Sequence, residues 1–264
     1  MKAAPWCALV GAGPGDPELL TLKALRTMRR ATLLLVDDLV SDAVLALALR
    51  GRRKPPRVVH VGKRGGCRST PQAFIERLMV SAAIAGERVV RLKGGDPGVF
   101  GRGGEEAAAL RQHGITVEIV NGITSGLAAA NALGVPWTHR EHAQGVILVT
   151  AHTREGGHGP DWAVLGAAAA QGLTLVVYMG MARLEALQRG LAAALPPQTP
   201  AAVVQHAGLA QERLCLSTLG CLAADARAQG LGSPAIVLIG NVLKAREAMS
   251  AAPSAQAAPA LRTA

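Results

Sequence analysis

The chain has 264 residues, half of them apolar, and a net charge of 28 − 18 = +10. Its length suits one large or two medium domains. No apolar run reaches the roughly 18 residues that a membrane span needs, which excludes a transmembrane helix.

The opening MKAAPWCALVGAG holds no apolar signal segment distinct from its first strand, so a cytoplasmic protein without a membrane partner is expected. The excess of cations, dense between Arg50 and Arg68, fits an anionic partner or a solvated basic face. With two Phe, three Trp and one Tyr, base-stacking platforms are not expected, and nucleic acid is disfavoured as a partner. Duplex binding through phosphates alone stays open here. So does a multiply carboxylated small molecule.

In chain order, the first β-rich run (6–10) leads into Gly11-Ala12-Gly13-Pro14-Gly15-Asp16. A dinucleotide fingerprint needs G-x-G-x-x-G. Here the third glycine comes one residue early, and Pro14 removes a backbone donor. Asp37-Asp38, closing the second run (31–36), sits where a ribose-binding carboxylate would stand, which keeps a nicotinamide oxidoreductase open at this point. Further strands are expected at 57–61, 87–92 and 115–120. A helix is expected at 71–85, with Thr70 as N-cap, Pro71 in the first turn, Gly86 as stop, and Phe74, Ile75, Leu78, Met79 and Ala82 as core.

After Val135-Pro136-Trp137 the pattern restarts, with strands expected at 145–150, 173–178, 201–205, 212–217 and 235–239. Alternating strands and helices read as α/β with largely parallel strands. Two α/β domains follow, 1–136 and 137–246, with a cofactor cleft between them, and 247–264 reads as a disordered tail. Cys7, Cys67, Cys215 and Cys221 lack paired spacing, so buried or inert thiols are expected. His139, His142, His152 and His158 show no recognised ligand spacing, and no metal is expected.

The segment Arg91-Leu92-Lys93-Gly94-Gly95-Asp96-Pro97-Gly98-Val99-Phe100-Gly101-Arg102-Gly103-Gly104-Glu105-Glu106 carries six glycines interleaved with charged residues just after a strand, the place where open α/β sheets line ligand clefts. With VGAGPGDPELLTLKAL, DDLVSDAVL, VGKRGG, RLKGGDPGVFGRGGEE, GITSGLAAANALGVPWTHR, LVTAH, YMGMARL and PAIVLIG in that order over residues 8–240, the sequence resembles the tetrapyrrole methylase family. Within it, the sequence is similar to the branch that acts on uroporphyrinogen III.

The resemblance implies the tetrapyrrole methylase fold and S-adenosyl-L-methionine as methyl donor, with S-adenosyl-L-homocysteine as product and no metal. It implies successive methylation of uroporphyrinogen III at C2 and C7, through precorrin-1 to precorrin-2, for sirohaem, cobalamin or haem d1 synthesis. It also implies a homodimer. Cofactor contacts carry over to Pro14, Gly94, Gly95, Asp96, Val99, Thr124, Ser125, Met179 and Ala207. Thr124-Ser125 equally suit a helix N-cap, and Met179 read alone suits a core.

The resemblance places Arg102 of FGRGGEE and Arg140 of THR on the substrate side, and guanidinium forks suit a polycarboxylate there. Glu105, three residues after Arg102, would orient it, or the two form a structural ion pair. For proton removal the candidates are Asp37 and Arg102, although an arginine seldom loses its proton. The pattern departs from the family's usual residues at Val36, Gly98, Asn121, Ala151 and 206–208. Alternatives are a later corrin-ring methyltransferase, a methylase of protein histidine or ribosomal RNA, and a non-catalytic binder of tetrapyrrole or adenosylmethionine.

Overall fold

The computed structural model describes residues 4–62, 70–152, 157 and 159–246. Lys63, Arg64, Cys67, Arg68, His158 and the tail 247–264 lie outside the described residues. The chain divides into two compact units, Met1–Ala129 with His206–Arg213, and Ala130–Gln205 with Leu214–Ala264. The division falls after Ala129, where the sequence suggests 136, and 206–213 joins the first unit.

In the first unit, strands β1 (Trp6–Gly11), β2 (Leu33–Val36), β3 (Arg57–His60), β4 (Arg88–Lys93) and β5 (Thr116–Val120) form one sheet in the order β3-β2-β4-β1-β5. Every pair is parallel. Helices α1 (Leu22–Met28) and α2 (Asp42–Leu49) pack on one face through Ala24, Met28, Val44 and Ala48. Helices α3 (Gln72–Ile84) and α4 (Gly103–Gln112) pack on the other through Ile75, Met79, Ala83 and Leu110. Each fully buried Leu of such a core contributes roughly 1.5–3 kcal/mol.

The connections from β1 and from β4 therefore leave the sheet on opposite faces. The carboxyl ends of these two neighbouring strands form the switch point at which open α/β sheets bind ligands.

Local chemistry explains the helix ends. Thr21 and Ser41 cap α1 and α2, their hydroxyls accepting from Ala24 N–H at 3.1 Å and Val44 N–H at 3.3 Å. Helix α3 stops as the sequence predicts: Gly86 (φ 93°) donates to Ala83 C=O at 3.1 Å, and Glu87 to Ala82 C=O at 3.0 Å. Its start needs correction, because Pro71 occupies the N-cap position with ψ 136° and makes no side-chain cap bond. Phe74 is also corrected. It is 49% exposed, and Ala83 takes a place on the buried face. Apolar spacing marks a stripe, but not which of its edges the neighbouring helix covers.

The second unit holds β6 (Gly145–Thr150), β7 (Leu173–Tyr178), β8 (Pro200–Gln205), β9 (Arg213–Thr218) and β10 (Ala235–Ile239), in the order β6-β7-β10-β8-β9. The β6–β7 pair is parallel as expected, whereas β10 enters antiparallel to both β7 and β8. Strand direction depends on which neighbours a late strand inserts between, and a local pattern does not encode that. Helices α6 (Trp162–Ala170), α7 (Leu184–Leu191) and α8 (Leu222–Ala228) cover the core of this sheet. Helix α5 (Ser125–Ala132) spans the division between the units.

Cys7 and Cys215 are buried as expected, whereas Cys221 is exposed. Burial, with the nearby Glu106 carboxylate, pushes the Cys7 thiol up to about 12. Among the described residues no helix is long and apolar enough to cross a membrane.

Candidate active site

At the carboxyl edge of the first sheet, the loops that follow β1, β2, β4 and β5 are tied to one another. Gly13 and Gly95 exchange backbone bonds, Gly95 N–H to Gly13 C=O at 2.8 Å and Gly13 N–H to Gly95 C=O at 3.2 Å. The Ser41 hydroxyl donates to Gly15 C=O at 2.5 Å. Gly11 and Gly122 complete a glycine cradle: a Cβ on Gly11 would stand 2.5 Å from Gly122 N and 2.6 Å from Gly95 O. Three backbones thus approach as closely as only glycine permits.

This geometry removes the dinucleotide reading. The Gly13 and Gly95 amides satisfy each other and do not face a pyrophosphate. The loop runs into a short 3-10 turn, Pro17–Leu19, whose first N–H, that of Glu18, donates to the Asp16 carboxylate at 2.8 Å. Helix α1 starts only at Leu22, and β4 stands between β1 and β2, where the dinucleotide fold pairs β1 with β2 directly.

Asp96 is almost buried and acts as a clamp. Its Oδ1 accepts from Gly98 N–H at 2.7 Å, and its Oδ2 accepts from Gly122 N–H at 3.0 Å and from the Asn121 side-chain amide at 3.1 Å. The Asn121 side chain thereby supplies the clamp with a second donor. Asp96→Asn is expected to destabilise the protein by about 1–3 kcal/mol, because the amide presents a donor to one of these N–H groups. Chemical denaturation measures the change.

Around this clamp the structure brings together most of the residues singled out in the sequence. Gly94 and Gly95 head the β4 loop, and Val99 N–H donates to Asp96 C=O at 3.2 Å. A Cβ on Gly95 would come 3.7 Å from both Thr124 Cα and Ser125 N. Thr124 precedes α5, its carbonyl accepting from Leu127 and Ala128 N–H, in keeping with a cap position. Pro14 is buried, and a Cβ on Gly208, next to Ala207, would meet its ring at 2.9 Å. His206, at the start of the same segment, has φ 55°.

Met179 and Arg140 stand in the second unit. Met179 follows β7 with φ 55° and 47% exposure, so it is no core residue. A non-glycine residue in this conformation costs of order 1–3 kcal/mol and is frequent at binding sites. Arg140 is exposed in a tight turn closed by His139–Ala143 pairing. The turn gathers His139, Glu141 and His142, with ligand atoms within 4.8 Å of one another and the two imidazoles stacked at 4.7 Å. The sequence reading passed over Glu141. His139 Nδ1 accepts from Glu141 N–H at 3.2 Å.

Arg102 (φ 57°) opens α4 and holds Glu105 in a forked pair, Nη2 to Oε2 at 2.6 Å and Nε to Oε1 at 3.1 Å, both side chains exposed. The bond to Glu105 raises the Arg102 pKa further above its already high value. This guanidinium is suited to bind carboxylates and unsuited to accept a proton.

Asp37 is different. It closes β2 and is 34% exposed, with Oδ1 accepting from Asp38 N–H at 3.1 Å and Oδ2 lying 3.4 Å from Arg91 Nη2. Behind it lies a charged cluster that the sequence reading did not single out. Arg91 Nε meets Glu106 Oε1 at 3.2 Å, Lys93 Nζ lies 3.1 Å from Glu106 Oε2, and the Gln72 amide donates to Oε1 at 3.3 Å. Arg91, Lys93 and Glu106 are all buried. Burial, reinforced by Arg91, pushes the Lys93 pKa below its ordinary value. The available signal was two cations at alternate positions of Arg88-Val89-Val90-Arg91-Leu92-Lys93, a strand central to its sheet and otherwise apolar after its first residue. Such a strand requires a buried counter-charge. Removing one member of a buried pair costs roughly 3–5 kcal/mol.

The family model for Tetrapyrrole (Corrin/Porphyrin) Methylases matches residues 7–223. The chain belongs to the tetrapyrrole methylase family. It is 54% identical to a uroporphyrinogen-III C-methyltransferase of Pseudomonas aeruginosa over 89% of this chain and 93% of that protein. A protein of the same name from Pseudomonas fluorescens is 49% identical, over 97% and 100%. Among solved structures, the uroporphyrin-III C-methyl transferase of Thermus thermophilus complexed with S-adenyl homocysteine superposes with a TM-score of 0.74. It is 41% identical and covers 90% of this chain and 99% of that one. The tetrapyrrole methylase fold and its cofactor class, expected from the motifs, are thus borne out.

Proposed function

We propose that the protein is an S-adenosylmethionine-dependent C-methyltransferase that methylates uroporphyrinogen III twice, at C2 and C7, giving precorrin-2 through precorrin-1. The observation that carries this reading is the set of tied glycine loops at the switch point of the first sheet, in a chain 54% identical to a protein named for that activity.

The residues present fit the donor. Adenosylmethionine has no phosphate, so a cradle whose amides are largely self-satisfied, walled by glycine backbone that a Cβ would fill, suits it better than an anion. Pro14, Gly94, Gly95, Asp96, Val99, Thr124, Ser125, Met179 and Ala207 would hold it. When bound it supplies an activated methyl whose bond to sulfur breaks with the electron pair left on sulfur. The protein's own work is to align the acceptor carbon, exclude water and receive a proton.

Reduced pyrroles are electron-rich carbon nucleophiles. Forming the new carbon–carbon bond leaves the macrocycle with one proton in excess, and Asp37 takes it. Its carboxylate is about a third exposed at the carboxyl edge, whereas Arg102 stays cationic. Arg102 and Arg140 bind substrate carboxylates, with Glu105 orienting Arg102. The protein acts in the cytoplasm as a homodimer, without a nucleic-acid partner.

Steady-state kinetics on uroporphyrinogen III tests the substrate assignment. Arg102→Ala and Arg140→Ala are each expected to raise KM about 10- to 100-fold, the equivalent of one charged hydrogen bond of roughly 1.5–3 kcal/mol, without changing adenosylmethionine affinity. Unchanged KM in both variants would refute the polycarboxylate reading.

A further inference from the structure

We infer that Arg91 is a positioning residue for Asp37, itself held from behind by Glu106. The inference rests on Asp37 being the proton acceptor. Arg91 is a buried guanidinium with four of its five N–H donors directed: Nε to Glu106 Oε1 at 3.2 Å, Nη1 to Leu92 C=O at 3.2 Å and to Leu35 C=O at 3.5 Å, and Nη2 to Asp37 Oδ2 at 3.4 Å. These partners come from β2, β4 and α4, so the guanidinium cannot turn without breaking contacts to three elements. Glu106 is in turn gripped by Lys93 and by Gln72 of α3.

Of the four charged groups, Asp37 alone reaches solvent appreciably, and Gln72, also half-buried, is neutral. Its backbone is fixed as well, Asp37 N–H donating to Leu92 C=O at 3.0 Å. Each carboxylate oxygen therefore accepts one bond, Oδ1 from Asp38 N–H and Oδ2 from Arg91, and keeps lone-pair capacity for a proton. A structural role alone would be met by burying both ends of such a network. Here one end emerges as a held carboxylate at the ligand-binding edge of the sheet.

In the reaction, the surplus proton left on the macrocycle when the carbon–carbon bond forms passes to a carboxylate oxygen of Asp37. The carboxyl group becomes neutral, and the proton is later released to water. Misplacing a reacting group by an ångström is enough to cost up to about 100-fold in rate.

The test compares Arg91→Lys, Glu106→Asp, Asp37→Asn and the double variant Asp37→Asn/Arg91→Lys in the full chain, with uroporphyrinogen III and adenosylmethionine. Arg91→Lys keeps the buried charge but loses the fork. It is expected to lower kcat about tenfold, with KM for uroporphyrinogen III and the adenosylmethionine Kd from calorimetric titration both within about twofold of the parent. In the Asp37→Asn background the same change is expected to have no further effect on kcat. If Arg91→Lys does not fold, Glu106→Asp, which keeps the buried charge but draws the carboxylate back from Arg91 Nε, carries the test, with a smaller fall in kcat and the same unchanged Kd.

An equal fall in both backgrounds, a parallel loss of Kd, or unchanged kcat in Arg91→Lys would overturn the positioning role while leaving Asp37 as the base. Near-parental kcat in Asp37→Asn alone would instead remove the base assignment, and the positioning role with it.

Discussion

Asp37→Asn is expected to lower kcat by roughly 100- to 10,000-fold, the range that a positioned general base supplies. The substitution is nearly isosteric. The amide oxygen can still accept one of the two bonds that Asp38 N–H and Arg91 now make, so the fold of the β2 loop is retained. What is lost is the capacity to take a proton, because an amide is not a base at neutral pH. Adenosylmethionine affinity should stay within about twofold, since the donor is assigned to the glycine loops and not to this carboxylate. Steady-state kinetics with calorimetric titration separates the two quantities. A variant with kcat within threefold of the parent would return the proton-transfer step to solvent or to another group.

Gly11→Ala is expected to have the largest effect on cofactor binding. The added Cβ would lie 2.5 Å from Gly122 N and 2.6 Å from Gly95 O, both backbone atoms, so no flexible side chain can move aside. Relief requires displacing the β4 or β5 loop, and those loops are pinned by the Asp96 clamp and the Gly13–Gly95 pair. Overpacking of this kind typically costs 1–3 kcal/mol, and more where backbone must shift. The thermal midpoint should fall by several degrees, and adenosylmethionine affinity by more than about tenfold. Normal binding by Gly11→Ala would mean that the cradle does not hold the donor.

Much of this architecture is legible in the sequence because it is local. All ten strands were expected within one or two residues of their observed ends, since short β-branched runs bounded by turn residues stand out from helical spacing. Gly86 ended α3 as expected because the C-terminal motif depends on a single left-handed glycine. Non-local features were not legible. The antiparallel entry of β10 between β7 and β8 is set by topology, and the exposure of Phe74 depends on how α3 sits beside α4.

The candidate site divides in the same way. The glycine loops were visible as motifs, yet the function of Asp96 as a clamp on Gly122 and Asn121 joins residues about 25 positions apart. Asp37 was legible as a strand-end acid and a candidate base, but not the group that holds it. Its partner Arg91 is 54 positions away in sequence, and only the β2–β4 pairing brings the two together. The ion pair of Arg102 and Glu105 was anticipated from their three-residue spacing, but not that Arg102 would make it from the N-cap of α4 with φ 57°.

The most direct measurement is an anaerobic incubation of the purified protein with uroporphyrinogen III and S-adenosylmethionine, following product mass and S-adenosylhomocysteine. A gain of two methyl groups, with two equivalents of S-adenosylhomocysteine per macrocycle, is the predicted result. No methyl gain, from protein that still binds adenosylmethionine in a separate titration, would contradict uroporphyrinogen III as the substrate.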